Sequence, residues 1–263
     1  MRFALNHIIS PRQSLDEFFA MARKLGCTEV EIRNDLAGAP IQDGTPPEKV
    51  RLAAEAAGVT LLSINALYPF NVWSGDLPDR AVAMASYAAA CGAKALVMCP
   101  LNDGRPVARE GLVMALKAIK TLLEDRGLIG LVEPLGFPIS SMRTKAEAIS
   151  AIRDAGGEGI YKLVHDTFHH RLAGETQFFP ECTGLVHISG VADPAVPVEK
   201  MLDAHRVLVD AGDRLNNIDQ IRTLRAMGYD GPFSFEPFAA EVQALADPAA
   251  ALKASMAFIA QQF

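Results

Sequence analysis

The chain has 263 residues, of which 50% are hydrophobic and 21% charged, with a formal net charge of −6. That balance fits a globular protein with a large core. It argues against a nucleic-acid partner, which favours a basic face, and gives no sign of a membrane surface.

Cys27, Cys91, Cys99 and Cys182 lie far apart and form no C-x-x-C pair. A disulfide framework is not expected of so few cysteines in so large a chain, so reduced thiols in a cytoplasmic protein are the expectation. The N-terminus, Met1-Arg-Phe-Ala-Leu-Asn-His, enters a strand directly, with neither a signal-peptide pattern nor an apolar run long enough to span a bilayer.

Arg2 to Asn6 reads as a short buried strand, followed by a helix over Ser14–Leu25 with Ser14 at its N-cap and Gly26 as its stop. Glu29 to Arg33 is a second strand. The same pattern then repeats: helix Pro46–Ala57, strand Thr60–Asn65, helix Asp79–Cys91, strand Ala95–Cys99, helix Glu110–Glu124, strand Leu128–Glu133. Thr144–Ala155 is a helix with Thr144 and Glu147 in capping-box spacing. Strand Tyr161–Asp166 leads to a short helix over Phe168–Glu175, and strand Gly184–Ser189 to an irregular stretch, Val191–Gly212. Helix Asn217–Met227, strand Phe233–Glu236 and helix Pro248–Ile259 complete the chain.

Eight strands alternating with helices imply a parallel sheet, because parallel neighbours need a crossover. The expectation is therefore a single-domain α/β protein spanning 1–263, a (β/α)8 TIM barrel. A doubly wound open sheet is the alternative, but no strand-to-helix turn carries G-x-G-x-x-G.

Four consecutive strands end in ionisable residues: Glu133, Asp166, His187 and Glu236. Such groups are costly at buried strand ends without a partner. A barrel brings all C-terminal strand ends to one face, so a shared divalent cation is the simplest partner. Three carboxylates and an imidazole suit Mn2+, Zn2+, Co2+ or Mg2+; each alone also suits a helix cap or an ion pair. His169 either faces the substrate or caps the helix after Asp166. Strand alternation puts His165 on the face opposite Asp166, against the helices. Arg206 either binds a substrate oxygen or pairs with Asp203 or Asp210. Asn6, Arg33 and Asn65 end the first three strands, where they suit polyol hydroxyls or satisfy loop backbone. Tyr68, Phe70 and Trp73 form either an apolar wall or an ordinary packed loop.

Glu133, Asp166-x-x-His169, His187 and Glu236 resemble the metal-site pattern of the xylose-isomerase-like barrels, which include sugar isomerases, ketose 3-epimerases, hydroxypyruvate isomerase and type IV apurinic endonucleases. Leu5-Asn6, Glu31-Ile-Arg33, Asn65-Ala-Leu67 with Phe70-Asn71, Gly136 and Pro138 after Glu133, Gly174, and His205-Arg206-Val207 extend the likeness over nearly the whole chain. Within that family they resemble the inosose (2-keto-myo-inositol) isomerases. One departure is Ser189-Gly190 after His187, where relatives often carry acidic residues.

The resemblance implies a metal-dependent isomerase, with Mn2+ favoured, that moves a proton next to a carbonyl through an enediolate. Glu133 and Glu236 would be ligands and acid/base groups, and His169 and Arg206 would hold substrate oxygens. The implied substrate is a polyol ketone or sugar, without a phosphate, and a homodimer is the expected assembly. A ketose 3-epimerase would use almost the same parts. A phosphodiester hydrolase would need more metal ligands at strand ends where Arg33, Asn65 and Cys99 stand. A non-catalytic sugar-binding barrel would bind without exchanging substrate protons.

Overall fold

Eight parallel strands, taken in sequence order, close into one barrel. They are β1 (Phe3–Asn6), β2 (Glu29–Arg33), β3 (Thr60–Leu67), β4 (Ala95–Met98), β5 (Ile129–Val132), β6 (Tyr161–Asp166), β7 (Thr183–Ile188) and β8 (Phe233–Phe235). Each pairs with the next, and β8 returns to β1 through Phe3–Phe233, Ala4–Ser234 and Leu5–Phe235. The computed structural model describes the whole chain, residues 1–263, apart from the side chain of Pro40.

The crossovers carry α1 (Leu15–Lys24), α2 (Pro40–Asp43), α3 (Pro47–Ala57), α4 (Leu77–Cys91), α5 (Arg109–Glu124), α6 (Lys145–Asp154), α7 (Thr167–Ala173) and α8 (Asn217–Ala226), and α9 (Ala240–Gln243) and α10 (Pro248–Ala260) follow β8. Local chemistry sets their ends. Ser14 with Glu17, and Thr144 with Glu147, form complete capping boxes, each side chain serving the other residue's backbone N–H. Gly58 and Gly92 end α3 and α4 at φ 67° and 83°, a left-handed turn that a Cβ would strain.

Side chains alternate across each strand, so one set fills the barrel and the other meets the helices. Ala95, Val97, Leu131, Val164 and Leu185 fill the interior. The main core lies between sheet and helices and includes Phe18, Phe19, Ile32, Leu116 and Phe233. A smaller cluster of Leu135, Phe137, Phe168, Val191, Met201 and Leu215 ties the segments after β5, β6 and β7 together over the C-terminal mouth.

Several boundaries differ from expectation. β3 runs to Leu67 rather than Asn65, and α4 begins at Leu77 rather than Asp79. Glu133 and Glu236 each lie one residue past a strand, yet their N–H groups still bond Met98 and Ile188 of the neighbouring strands, at 3.0 and 2.9 Å. The short α2 and α9 have too few residues to show a period. Val191–Gly212 is irregular, as expected, and is tied back to β7 by the antiparallel bridge between Gly190 and Val207. The four cysteines are free. Among the described residues, no helix is long and apolar enough to cross a membrane.

Candidate metal and active site

Glu133, Asp166, His187 and Glu236 each present one ligand atom, and these atoms all lie within 4.8 Å of one another. The barrel brings them together: β5 to β8 are adjacent, and each delivers its residue at its C-terminal end. His187 is the hub. Its Nδ1 lies 3.1 Å from Glu133 Oε1, 3.1 Å from Glu236 Oε2 and 4.0 Å from Asp166 Oδ2. Its Nε2 lies on the other side, 3.1 and 3.2 Å from the two carboxylate oxygens of Glu31.

The electrostatics follow. Burial alone would lower the His187 pKa, but Glu236, Glu31 and Glu133 outweigh it and hold the imidazolium well above its ordinary value. Burial would raise the Glu236 pKa; His187, Arg206 and Arg33 override it, so this carboxyl stays below the usual range.

The residues fit a divalent cation. Glu31, Glu133, Asp166 and Glu236 bring four buried carboxylates, and Arg33 and Arg206 bring two buried guanidinium groups. With His187 neutral, two negative charges are left over, the deficit that one divalent ion removes. The donors are oxygen with one imidazole, which suits a hard or borderline metal.

Arg206 reaches this centre from the excursion after β7. Its Nη2 donates to Asp166 Oδ2 at 2.6 Å and to Glu236 Oε2 at 3.0 Å. Nη1 bonds Asp203 Oδ1 at 3.1 Å and Nε bonds Ser189 Oγ at 3.0 Å. Asp203 is thus a partner, as the sequence allowed, but Arg206 is buried, 1% exposed, rather than on the surface. Ser189-Gly190 now has a reason: the hydroxyl serves Arg206, and a Cβ at position 190 would come within 2.9 Å of the Leu208 carbonyl oxygen.

Arg33 donates from Nη1 to Glu236 Oε1 at 2.9 Å and grips Asp35 through Nε and Nη2, both at 2.7 Å. Asn6 Nδ2 donates to the same Glu236 oxygen at 3.2 Å. Phe238 lies beneath both guanidinium groups, its ring centroid 5.2 Å from Arg33 Cζ and 4.7 Å from Arg206 Cζ. Asn65 turns its amide away from this group: Nδ2 donates to Glu31 at 2.8 Å and to Ser63 at 2.9 Å. Asp166 caps α7, accepting from the N–H groups of Phe168 and His169 at 2.7 and 3.1 Å. His169 is buried edge-on to Phe137 and Phe168, and its Nδ1 has no protein partner among the described residues.

His165 faces outward and meets Gln220 Oε1 at 2.9 Å. His170 pairs with Lys145 Nζ at 2.7 Å, outside the cluster. Phe70 is fully buried and belongs to the main core, against which Trp73 also packs, whereas Tyr68 is 41% exposed. Glu31 and Phe238 belong to the surroundings of the cluster without having been among the expected site residues. A buried acid inside Glu29-Val-Glu-Ile-Arg33 was the available signal for Glu31; nothing in the sequence marked Phe238.

The fold and this cluster define a class: a parallel eight-stranded barrel with a buried, acidic, histidine-containing cluster at its C-terminal mouth. The chain belongs to the xylose isomerase-like TIM barrel family, whose defining pattern matches residues 19–262.

A xylose isomerase domain-containing protein from Salmonella typhimurium LT2 is 35% identical, with TM-score 0.92 over 99% of this chain and 97% of that one. The IOLI protein, whose structure holds a zinc atom, is 21% identical, with TM-score 0.84 over 100% and 99% of the two chains. D-Allulose 3-epimerase from Methylomonas sp., solved with D-allulose, is 16% identical, with TM-score 0.73 over 100% and 97%. The last two likenesses are of fold. No curated protein matches the chain in sequence.

Proposed function

We propose that this protein is a divalent-metal-dependent isomerase of a neutral polyol ketone, with 2-keto-myo-inositol as the substrate. The observation that carries the reading is the cluster of Glu133, Asp166, His187 and Glu236 at the barrel mouth, with two of its carboxylates flanking one imidazole nitrogen. The four would hold the ion. Bound there, it supplies positive charge beside the substrate carbonyl, which makes the neighbouring C–H more acidic.

The rest is done by the chain itself. One of Glu133 and Glu236 takes the proton from the carbinol carbon next to the carbonyl and returns it to the former carbonyl carbon. The hydroxyl proton passes to the former carbonyl oxygen, so atoms balance and no redox partner is needed. Arg33 and Arg206 keep Glu236 ionised, and each retains one of its five N–H groups for a substrate oxygen. His169, whose backbone N–H bonds Asp166, is a further polar side chain beside the cluster for a substrate hydroxyl. Asn6 orients Glu236 alongside Arg33, and Asn65 serves the interior. Cys99 Sγ donates to Glu133 Oε2 at 3.4 Å, fixing that carboxylate's second oxygen.

A ketose 3-epimerase is the second reading, favoured by the same pair of carboxylates, since epimerisation needs one group on each face of the carbon. The fold likeness to the IOLI protein and to D-allulose 3-epimerase supports both readings equally.

The test is proton NMR of 2-keto-myo-inositol in D2O, with Mn2+-loaded protein and a chelated control. Metal-dependent deuterium entry beside the carbonyl, together with a new ketone isomer, is expected. Exchange without a new isomer moves the search to other ketoses. No exchange with 2-keto-myo-inositol, a ketose panel or hydroxypyruvate would rule out an isomerase.

A further inference from the structure

We propose that Glu31 is a positioning residue for the metal centre, fixing His187 so that Nδ1 is the atom offered to the ion. The inference rests on the metal-site reading above and adds to it a residue that touches neither ion nor substrate.

Glu31 stands inside the barrel on β2 with 0% exposure. A carboxylate there would be costly unless every oxygen were occupied. Both are. Ser234 Oγ donates to Oε1 at 2.5 Å, and Ser63 Oγ and Asn65 Nδ2 donate to Oε2 at 2.6 and 2.8 Å. Among the described residues, the only other group within hydrogen-bond reach is His187 Nε2, which faces both oxygens at nearly equal distance, 3.1 and 3.2 Å.

An ionised carboxylate only accepts hydrogen bonds, so Nε2 must carry the hydrogen. In the neutral imidazole the lone pair is then on Nδ1, the atom that faces Glu133, Glu236 and Asp166. Tautomer and ring orientation are thereby set from behind the ring. Three residues from β3 and β8 set Glu31 in turn, so the centre draws on both halves of the barrel. Partners of this kind typically account for about 10–100-fold in metal affinity.

The experiment titrates Zn2+ and Mn2+ into chelator-stripped wild-type protein, E31Q and S234A, and records histidine 15N spectra of the Zn2+-loaded forms. Expected are a roughly 10–100-fold weaker Kd for E31Q and a smaller shift the same way for S234A. The wild-type spectrum should show His187 ligated through Nδ1 with hydrogen on Nε2, and E31Q should lose that single pattern. A purely structural role would lower the melting temperature of metal-free E31Q and leave Kd and the His187 signals of the loaded protein unchanged; that result overturns the proposal while leaving the metal site standing. Should E31Q fail to fold, S234A decides alone, and an unchanged Kd there overturns it. A wild-type protein that binds neither ion removes the metal reading and this inference together.

Discussion

Arg206 is held by four side chains and neutralises two of them where water cannot, so its loss strands charge rather than merely removing contacts. Arg206→Met should destabilise the chelated protein by about 3–5 kcal/mol, the usual cost of orphaning a buried charge. With saturating Mn2+ the loss should be smaller, because the ion takes over part of the compensation; urea denaturation with and without metal measures both. Of Glu133→Gln and Glu236→Gln, the one that removes the proton-transferring carboxylate should lower kcat by about 10²–10⁴-fold at saturating Mn2+ in the deuterium-exchange assay, the usual weight of a positioned acid or base, and the other should act mainly by weakening metal binding.

The charge states of His187 and Glu236 also make stability depend on pH. The folded pKa of His187 is raised above the ordinary 6.5, so its imidazolium stabilises the metal-free fold fully below that value. The contribution is lost as pH rises through the folded pKa. Glu236 is lowered below the ordinary 4.5, so its contribution is present above that value and lost as pH falls through the folded pKa. Metal-free protein in chelator should therefore lose stability as pH rises above about 6.5, followed by denaturant midpoint, and a saturating divalent ion should flatten that slope.

At the scale of elements, α7 is where the site is aimed. Asp166 ends β6 and caps this helix, which makes placement of this carboxylate and helix start one event. The segment after β5 packs so closely on α7 that a Cβ at Gly136 would lie 2.2 Å from the His169 carbonyl oxygen and 2.9 Å from the Ala173 nitrogen. Arg143 bonds the Gly136 carbonyl at 2.9 Å and holds the same contact from outside. Gly136→Ala would push against the His169 and Ala173 backbone and the Leu172 Cβ, none of which is the free end of a flexible side chain. It should cost about 1–3 kcal/mol by denaturation and shift His169 enough to raise KM more than it lowers kcat. The sequence marked Gly136 only as part of a family pattern; the close approach needs both segments in place before it exists.

For the whole molecule, the barrel turns four distant strand ends into one buried cluster, and a ligand for that cluster should stabilise the entire fold. Adding Mn2+ or Zn2+ at about one hundred times its Kd should raise unfolding free energy by about 2.7 kcal/mol, and chelation should reverse it; differential scanning calorimetry reads both. An unmoved transition would argue that the cluster is held by its own guanidinium groups and takes no ion.

Alternating strands and helices, glycine stops and capping boxes repeat locally, so the barrel was legible from periodicity alone. So were Glu133, Asp166, His187 and Glu236, because an ionisable residue closing an apolar run is visible in one dimension. The partners were not. Whether Arg206 meets Asp203 at the surface or Asp166 and Glu236 in the interior depends on where an irregular excursion folds back, and no local pattern encodes that. Asn65 stands at a strand end like Asn6, yet its amide is turned to Glu31, and Phe238 comes to lie beneath two arginines from different strands. Short-range spacing and side-chain chemistry were enough to set the fold class and to pick out the four residues that cluster at the barrel mouth. Tertiary structure alone decided which charge meets which, because hydrogen bonds across a barrel join residues that are neighbours only after it has closed.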